Sequence, residues 1–359
     1  MRKQKIVIVG AGIVGASVAY HLAKRNQDVT VIERHPAPAR EVTEKSFAWL
    51  HTTHRVAPEY WHLYDAALDE YHALQQELSD LNIHWHGALT WGTPPLREQL
   101  HVQRLNREQL EALEPNLKEY PDEAMFVSEE GAVDPIGLTE LLLSKAREYG
   151  AKVQFGTNVT QLQQEDSRLV GVHTSMGFLE SDVVVLAAGT GITELCSPLD
   201  CPVPVTSSPS ILIRMKTPNK LIRTLISNAQ FEARQLTEHT LLAAEDYMDE
   251  SEENGPEAVG KRAFDTLRRS LKGGNQLELE SIQVGMRPMP EDGYPIVGFQ
   301  DHIKGLYLTV MHSAITLAPL IARLAASEII DQESRSELDP CRLSRFKDHS
   351  RNDPSVSRA

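Results

Sequence analysis

Three glycines near the amino terminus have the spacing G-x-G-x-x-G, which is typical of a turn that holds a pyrophosphate. They are Gly10, Gly12 and Gly15, and they directly follow the apolar run IVIV at 6–9. In this pattern the first glycine permits a tight turn, the second lets the backbone approach the pyrophosphate, and the third lets a helix pack against the strand. The N–H groups and the positive dipole end of that helix attract the anion. The spacing favours a dinucleotide site over a purely structural strand-helix-strand unit.

A strand, a helix and a second strand must position these glycines. The run at 6–9 predicts a central parallel strand buried on both faces, and a helix is predicted over 13–26. The segment DVTVIER predicts a second strand that ends at Glu33, where a carboxylate accepts hydrogen bonds from both ribose hydroxyls. These residues leave NAD and FAD open. The predicted cofactor residues of this unit are Gly10, Gly12, Ile13, Val14, Gly15, Glu33 and Arg34.

Glu33 argues against NADP, because its carboxylate would repel a 2′-phosphate. The adjacent Arg34 could soften that repulsion, although a solvated surface arginine is the plainer interpretation.

Composition narrows the class of protein. A chain of 359 residues, of which 41% are hydrophobic, can bury a large core and is long enough for two domains or one large interrupted domain. Fifty acidic residues against 36 basic ones give a net charge of -14, which disfavours nucleic acid and anionic membranes as partners. The acidic segment at 245–257 is expected to be a solvated loop. Three cysteines without a pairing pattern and the lack of a long apolar run predict a cytoplasmic protein without a membrane span.

The middle of the chain contains an alternating segment, NIHWHGALTW, that predicts one strand. His84 and His86 share a face and could ligate a metal, but no nearby cysteine or acid completes such a site, so a polar strand face is favoured. The tryptophans Trp49, Trp85 and Trp91 could wall an apolar pocket, or could belong to the core.

The remaining segments predict further elements of a parallel sheet and of an antiparallel one. A helix is expected to begin at Pro135, and the buried run VVVL at 183–186 is expected to end in a second glycine turn at Ala188 and Gly189. Beyond the boundary CPVPVTSSP, the pieces ILIRMK, LIRTLIS and LLAAED are typical of an antiparallel sheet. A final helix follows GLYLTV and is expected to begin within 313–318, and Pro319 fits its first turn if the start is late, near Leu317. Residues from about 331 onward are expected to be polar and peripheral.

The order of these motifs resembles the FAD-dependent superfamily of D-amino-acid oxidase, glycine oxidase and sarcosine oxidase. The resemblance spans nearly the whole chain through VGAGIVGASVAYHL…VIER, the loop at Ser46, GAVDPIGL, VVVLAAGTG, RPMPEDGYPIVG and GLYLTVMHSAITLAP. It implies FAD rather than NAD as the cofactor. It also implies removal of a hydride from the carbon that bears an amine, giving an imine that water hydrolyses.

By the same resemblance, further residues would line the FAD. Glu33 would hold the adenosine ribose, Ser46 would contact the pyrophosphate or ring region, and the backbone near Val159 would meet the adenine. The alternatives are an ordinary loop hydroxyl for Ser46 and a core valine for Val159. The start of the final helix would place positive N–H dipoles where negative charge appears on the reduced ring. The further cofactor residues so implied are Ser46, Val159, Ala188, Gly189, Ser313, Ala314, Ile315 and Thr316.

The substrate side departs from the family. Where glycine oxidases have an arginine that binds the substrate carboxylate this chain has His312, and where sarcosine oxidases have a lysine it has Thr316. Since a carboxylate needs a cation or several donors, the candidates are Arg287, Arg214 and Arg55, or the substrate is not a simple amino acid. Arg287 is preferred, with a structural role in its turn as the alternative.

His312 could face the substrate or pack beside the flavin, and a structural role is favoured for His51. The predicted catalytic residues are Arg287, His312 and His51. Gly285 falls where monomeric sarcosine oxidases carry a flavin-linked cysteine, so the FAD is expected to be noncovalent.

Together these features predict an α/β protein. It has a Rossmann-type FAD-binding domain like that of glutathione reductase, formed by 1–78, 131–196 and 289–345. An interleaved, mainly antiparallel α+β substrate domain is formed by 79–130 and 197–288, and 346–359 form a polar tail. The predicted activity is oxidation of the C–N bond of an amino acid or secondary amine.

Three alternatives stay open: a 2-hydroxy acid dehydrogenase of the same fold, an NAD-dependent dehydrogenase, and a non-catalytic flavin-binding protein. The sequence leaves open oxygen or another electron acceptor, the stereochemistry of the substrate, and whether the chain forms a homo-oligomer.

Overall fold

A computed structural model describes residues 3–52, 56–92, 102–247 and 249–346. The helices, in chain order, are α1 (Ile13–Lys24), α2 (Trp61–Glu77), α3 (Arg107–Leu113), α4 (Pro135–Glu148), α5 (Ile192–Cys196), α6 (Pro256–Ser270) and α7 (Ala314–Asp331). The first ten strands are β1 (Lys5–Val9), β2 (Asp28–Ile32), β3 (Trp49–Leu50), β4 (Ile83–His84), β5 (Ala88–Thr90), β6 (Val102–Asn106), β7 (Glu123–Val127), β8 (Gly131–Val133), β9 (Lys152–Gln154) and β10 (Val159–Glu165). The others are β11 (Arg168–Thr174), β12 (Gly177–Glu180), β13 (Val183–Leu186), β14 (Val205–Lys216), β15 (Leu225–Ser227), β16 (Glu232–Thr237), β17 (Thr240–Glu245), β18 (Glu278–Pro290), β19 (Ile296–Gln300) and β20 (Ile303–Val310).

The chain forms two compact units. The first comprises Met1–Arg40, Ile136–Ser208 and Arg287–Ala359, and the second comprises Glu41–Pro135 and Pro209–Met286. As units of packing they differ from the predicted domains chiefly at 41–78, which belong to the second unit. A physical reason is that the short strand β3 pairs with β8 of the second unit.

The first unit is built on a 9-stranded sheet with the order β10-β11-β20-β13-β1-β2-β9, with β12 paired to β11 and β19 to β20. Its centre is parallel: β1 pairs with β2 on one side and with β13 on the other, and β13 pairs with β20. The runs at 6–9 and 183–186 are fully buried, as predicted for strands covered on both faces. Helix α1 begins at Ile13 as predicted, and Asn26 ends this region with a φ of 60°.

The final helix begins within the predicted range of 313–318, near its early end. It starts at Ala314, and the amide of Leu317 already donates to the Ser313 carbonyl at 3.1 Å. Pro319 therefore lies inside the helix rather than in its first turn, which would have required a start near Leu317. The physical reason is that Ser313 has a φ of 56°, so the chain turns sharply after β20 and enters the helix at once.

The segment that follows α7 is not peripheral, contrary to the expectation for residues from 331 onward. A 3-10 helix covers Ser336–Cys341, and its Leu338 and Cys341 are fully buried. The segment is held by Glu328, a buried carboxylate of α7. Its oxygens accept hydrogen bonds from the Tyr307 hydroxyl at 2.7 Å, from the Arg335 amide at 2.7 Å and from the Arg342 guanidinium.

We expect Glu328→Ala to lower the free energy of unfolding by about 3–5 kcal/mol, because it leaves the half-buried Arg342 without its main partner. Equilibrium urea unfolding measures this loss. The control is Glu180→Ala, which breaks the exposed pair with Lys5 in the same unit and should cost less than about 1 kcal/mol. Equal costs for the two variants would show that Glu328 does not anchor this segment.

The second unit is built on an 8-stranded sheet with the order β18-β14-β17-β16-β15-β5-β7-β6. Most neighbours are antiparallel, as predicted for the sheet that ILIRMK, LIRTLIS and LLAAED would form, although β15 and β5 are parallel. One face packs against α6, and the core on that side includes Ile213, Ala233 and Leu267. The other face carries a smaller cluster with the members Phe47, Trp49, Ala88, Ala132, Leu212, Leu225 and Leu242. The two faces alternate along each strand.

The alternating segment around Trp85 is not one strand, contrary to the prediction. It divides into β4, which pairs with β8 in a 3-stranded sheet, and β5 of the large sheet. The break lies at Gly87, whose φ is 74° and whose missing Cβ would come within 2.4 Å of the Phe126 ring. Only glycine adopts this conformation in so little space. The alternation therefore continues in sequence across a change of sheet.

Two further expectations concern the surface. The residues between β17 and α6 that the structure describes are mostly exposed, as expected for the acidic loop. Within the described ranges, no helix combines the length and the apolar character needed to cross a membrane.

Candidate active site

The predicted cofactor residues of the first unit meet at one edge of its sheet. Because β1, β2, β13 and β20 are parallel, their carboxyl ends lie at the same edge. The Gly10 amide donates to the Ile32 carbonyl at 2.8 Å, which ties the end of β1 to the end of β2. A Cβ at Gly10 would lie 2.5 Å from the Ala187 carbonyl oxygen, so the turn after β13 is equally close. This edge is where open α/β sheets bind ligands.

The glycine turn is packed as the motif requires. Gly10 has a φ of 104°, which a side chain disfavours, and a Cβ at Gly15 would lie 2.0 Å from the Gly10 carbonyl oxygen. Helix α1 begins directly after Gly12 without a side-chain cap and without an acidic residue in its first turn. Ile13, Val14 and Gly15 form that turn. The positive dipole end of the helix is therefore not neutralised by an acidic residue of its own first turn.

Glu33 is oriented by two backbone amides. Its side chain is largely buried, and its two oxygens accept hydrogen bonds from the Ala11 amide at 2.8 Å and the His35 amide at 2.9 Å. Since each carboxylate oxygen has two lone pairs, both can still accept from a hydroxyl. The adjacent Arg34 is exposed, as its interpretation as a surface residue requires.

The glycine turn, the uncapped helix and the oriented carboxylate are what the pyrophosphate and ribose of FAD require, so these residues fit that cofactor.

The backbone just before Val159 lies next to this edge. The amides of Gly156 and Thr157 donate to the carbonyls of His35 and Glu33, both at 2.9 Å. Val159 itself is buried in the main apolar cluster of the unit, so its side chain belongs to the core.

The two other predicted groups of the first unit also lie at this edge. Ala188 and Gly189 follow β13, and Gly189 has a φ of 55° with open space where its Cβ would be. Ser313, Ala314, Ile315 and Thr316 lie where β20 gives way to α7, which has no side-chain cap and no acidic residue in its first turn.

Ser46 and His51 belong to the second unit. The Ser46 hydroxyl accepts the Ala48 amide at 3.1 Å and so shapes its own loop. His51 is buried, with its ring 6.1 Å from that of Trp49 and 5.5 Å from that of Tyr64. Buried Glu130 holds the same loop, because it accepts the Trp49 indole N–H at 2.8 Å and the Thr52 amide at 2.7 Å. The packing of His51 favours the structural role.

The predicted carboxylate-binding residues are placed differently from one another. Arg287 is half-buried in the first unit, with its Nη2 donating to the Ser208 hydroxyl at 3.0 Å. His312 is half-buried just before α7. Arg214 forms an ion pair with Glu280 at 2.9 Å, so its charge is already balanced. Arg55 lies outside the described residues.

Sequence reasoning missed Arg234 and Glu232, two charged residues of β16. Arg234 is among the most buried large side chains, with a relative exposure of 2%. Its Nε donates to the Phe47 carbonyl at 2.6 Å and its Nη2 to the Val133 carbonyl at 3.3 Å. Burial lowers the pKa of Arg234 to about 10. The only sequence signal was two charges at alternate positions of 232–237, a segment for which no strand was predicted, and such a pattern does not reveal which face is covered.

Glu232 is held by the Ser227 hydroxyl, which donates to it at 3.2 Å. Burial raises the pKa of Glu232 to about 7, with nearby Glu245 and Asp246 adding to the increase.

The other polar groups singled out from the sequence have structural settings. His84 and His86 have ring centroids 5.6 Å apart, and burial lowers the pKa of both. In the ranges that the structure describes, no group of three or more histidine, cysteine or acidic residues could hold a metal ion. The three cysteines, Cys196, Cys201 and Cys341, are buried free thiols.

The three tryptophans do not share one cluster: Trp49 packs with Phe47, Trp85 stacks on His72 at 4.3 Å, and Trp91 packs edge-on against Phe231.

Relatives of known activity match nearly the whole chain. A glycine oxidase of Pseudomonas aeruginosa is 26% identical over 368 residues, which cover 92% of this chain and 96% of that protein. The bifunctional protein ThiO/ThiG of Trichormus variabilis is 26% identical over 381 residues, covering 95% of this chain but only 55% of that protein. The chain thus spans about half the length of this longer relative.

Solved structures show the same mixed α/β fold. A glycine oxidase from Geobacillus kaustophilus superposes with a TM-score of 0.84 at 21% identity, covering 96% of this chain and 99% of that one. An L-proline dehydrogenase from P. horikoshii superposes with a TM-score of 0.85 at 17% identity, covering 97% and 99%. The sequence pattern of the FAD dependent oxidoreductase family, DAO, matches residues 5–328. The chain therefore belongs to the DAO family of FAD-dependent oxidoreductases.

Proposed function

We propose that this protein oxidises the C–N bond of an amino acid or a secondary amine to an imine. The observation that carries the proposal is the convergence, at one sheet edge of the first unit, of the glycine turn, Glu33 and the amino terminus of α7. Relatives that match nearly the whole chain, a glycine oxidase and a D-amino acid dehydrogenase among them, act on substrates of this class.

The proposed cofactor site uses residues of this chain in distinct roles. Gly10, Gly12 and the first turn of α1 would hold the pyrophosphate of FAD, and Glu33 would accept both ribose hydroxyls. FAD, when bound, supplies the acceptor for the hydride that leaves the carbon bearing nitrogen. The first turn of α7 would stabilise the negative charge that develops on reduction, because its N–H groups carry partial positive charge. Gly285 stands at the position of the covalent cysteine in related enzymes, so the FAD would be noncovalent.

The same proposal assigns the domains. A FAD-binding domain of the glutathione-reductase type would take 1–78, 131–196 and 289–345, and a substrate domain would take 79–130 and 197–288. The parallel sheet of the first unit and the mainly antiparallel sheet of the second support this division, whereas the packing of 41–78 and 131–135 with the second unit does not.

The test is the visible spectrum of the purified protein, recorded without oxygen while amino acids, N-methyl amino acids and 2-hydroxy acids are added in turn. We expect a yellow protein that is bleached by an amine. Bleaching by hydroxy acids alone would replace the amine substrate with a 2-hydroxy acid. A yellow protein that no candidate bleaches would contradict catalysis of either kind.

A further inference from the structure

Arg234 is a buried cation that forms no ion pair among the described residues, although the charge of nearby Asp134 partly offsets the effect of burial on its pKa. In the described part of the chain, its only hydrogen-bond partners are the carbonyls of Phe47 and Val133, and no carboxylate lies within ion-pair distance. A guanidinium has five N–H donors, so these two bonds leave donors available. Burying an unpaired charge costs several kcal/mol, and proteins usually compensate it with a carboxylate. Arg234 therefore has the charge and the available donors to bind an anionic ligand.

Glu232 lies on the same face of the sheet as Arg234. The two residues alternate with Ala233 along β16, and Ala233 points into the core on the α6 side. Glu232 is opposite Ala244 on β17, and Arg234 is opposite Leu242. No ion pair joins Glu232 to Arg234 in the described structure. Glu232 accepts from the Ser227 hydroxyl, whereas Arg234 donates to the Phe47 carbonyl. A negative and a positive group thus stand two residues apart on one sheet face.

The surroundings of this pair are apolar. Leu212, Leu225 and Leu242 occupy the same face, and Phe47 packs its ring under Arg234 with the guanidinium carbon 5.5 Å from the ring centroid. In an environment of low polarity a charge pair with a ligand is stronger than in water. The other cation on this face, Arg214, is already paired with Glu280. Of these two described arginines, Arg234 is the one that forms no ion pair.

We infer that Arg234 and Glu232 together bind the two charged groups of an amino acid zwitterion, Arg234 the carboxylate and Glu232 the ammonium group. The inference rests on the proposed function and narrows it to substrates that carry both groups. It also answers what replaces the carboxylate-binding residue of the relatives. A planar guanidinium with several free donors matches a carboxylate, and a carboxylate accepts the N–H donors of an ammonium group. Titration of Glu232 near neutral pH would let it also take a proton from the ammonium group.

The experiment separates the two charges with two probes. Propionate carries the carboxylate alone, whereas alanine carries both groups. Calorimetry on the FAD-loaded enzyme gives the Kd of propionate, which is independent of turnover. For alanine, each enantiomer is mixed with the enzyme without oxygen, and the half-saturating concentration is taken from the dependence of the bleaching rate on alanine concentration or, where no bleaching occurs, from the heat of binding.

The two substitutions are expected to affect the binding of propionate and alanine differently. Arg234→Met should weaken propionate binding about 100-fold, since it removes charge-assisted hydrogen bonds. Glu232→Gln should raise the half-saturating alanine concentration at least about 10-fold and leave propionate binding unchanged or tighter, because it removes only the partner of the ammonium group. The control is Arg104→Met, which removes an exposed arginine, paired with Glu123, from the same 8-stranded sheet and should leave the propionate Kd unchanged. Bound flavin and the thermal midpoint are measured for every variant.

Arg234→Lys decides the case in which Arg234→Met does not fold. Lysine keeps the charge but not the planar fork, so about 10-fold weaker propionate binding is expected. Wild-type propionate binding in either Arg234 variant, or no binding of propionate and alanine to the wild type, would overturn the inference. A further outcome is that only 2-hydroxy acids bleach the wild type while the Arg234 variants still weaken propionate binding. The proposed amine substrate and the role of Glu232 would then be wrong. The role of Arg234 in binding a carboxylate would be upheld.

Discussion

Replacing Glu33 with alanine is expected to give a folded protein that purifies without FAD. The carboxylate would lose its hydrogen bonds to both ribose hydroxyls, each worth about 1.5–3 kcal/mol for a charged acceptor, so the Kd of FAD should rise about 100-fold or more. The Ala11 amide would also lose its acceptor, which loosens the glycine turn itself. Flavin content after purification and the Kd of added FAD measure the effect.

Two further variants test whether the loss of FAD is specific to the Glu33 carboxylate. Glu33→Gln keeps one oxygen in place and should lose less affinity than alanine. Glu165→Ala, an exposed substitution in the same unit, should retain full flavin. If Glu33→Ala carries as much flavin as the wild type, Glu33 is not part of the cofactor site.

Gly15→Ala is expected to cost the protein both its flavin and part of its stability. The added Cβ would meet the Gly10 carbonyl oxygen at 2.0 Å and its carbon at 3.0 Å, and both are backbone atoms that cannot rotate away. Helix α1 must then move off β1, and the turn that approaches the pyrophosphate moves with it. Overpacking of this kind costs about 1–3 kcal/mol and sometimes more. Urea unfolding of the apoprotein and the Kd of FAD report the two losses separately.

Gly150→Ala is the matched control for a lost glycine. Its φ is 96°, but the Cβ would meet nothing within 4 Å, so only backbone strain of about 1–2 kcal/mol is added. It should therefore keep its FAD. Full flavin in Gly15→Ala, or equal flavin loss in both variants, would show that close packing of α1 is not what shapes the site.

The nucleotide-binding half of the site could be predicted from the sequence because the residues that form it are close together along the chain. Gly10, Gly12 and Gly15 are adjacent to the strand and the helix that they join, and Glu33 ends the next strand. Each of these elements formed where the sequence predicted it. Parallel pairing then brings the ends of β1 and β2 together, so that Glu33 reaches the Ala11 amide.

The substrate half was not accessible in the same way. Arg287, His312 and His51 were chosen by position in a resemblance, whereas Arg234 stands in the segment EARQLT, for which the sequence predicted no element. Its burial depends on the backbone carbonyls of Phe47 and Val133, which are distant in sequence. Such partners leave no pattern in the residues around Arg234.

The sequence by itself determined the dinucleotide turn, the central parallel strands and the family resemblance, because each depends on neighbours along the chain and on the period of the side chains. Only the tertiary structure decided three further features: the change of sheet at Gly87, the anchoring of the carboxyl-terminal segment by Glu328, and the face of β16 that carries Arg234 and Glu232. Alternation divides a strand into two faces, but the pattern does not say what covers each face. Long-range packing determines what covers each face. It also determines whether a buried charge has a partner of opposite sign.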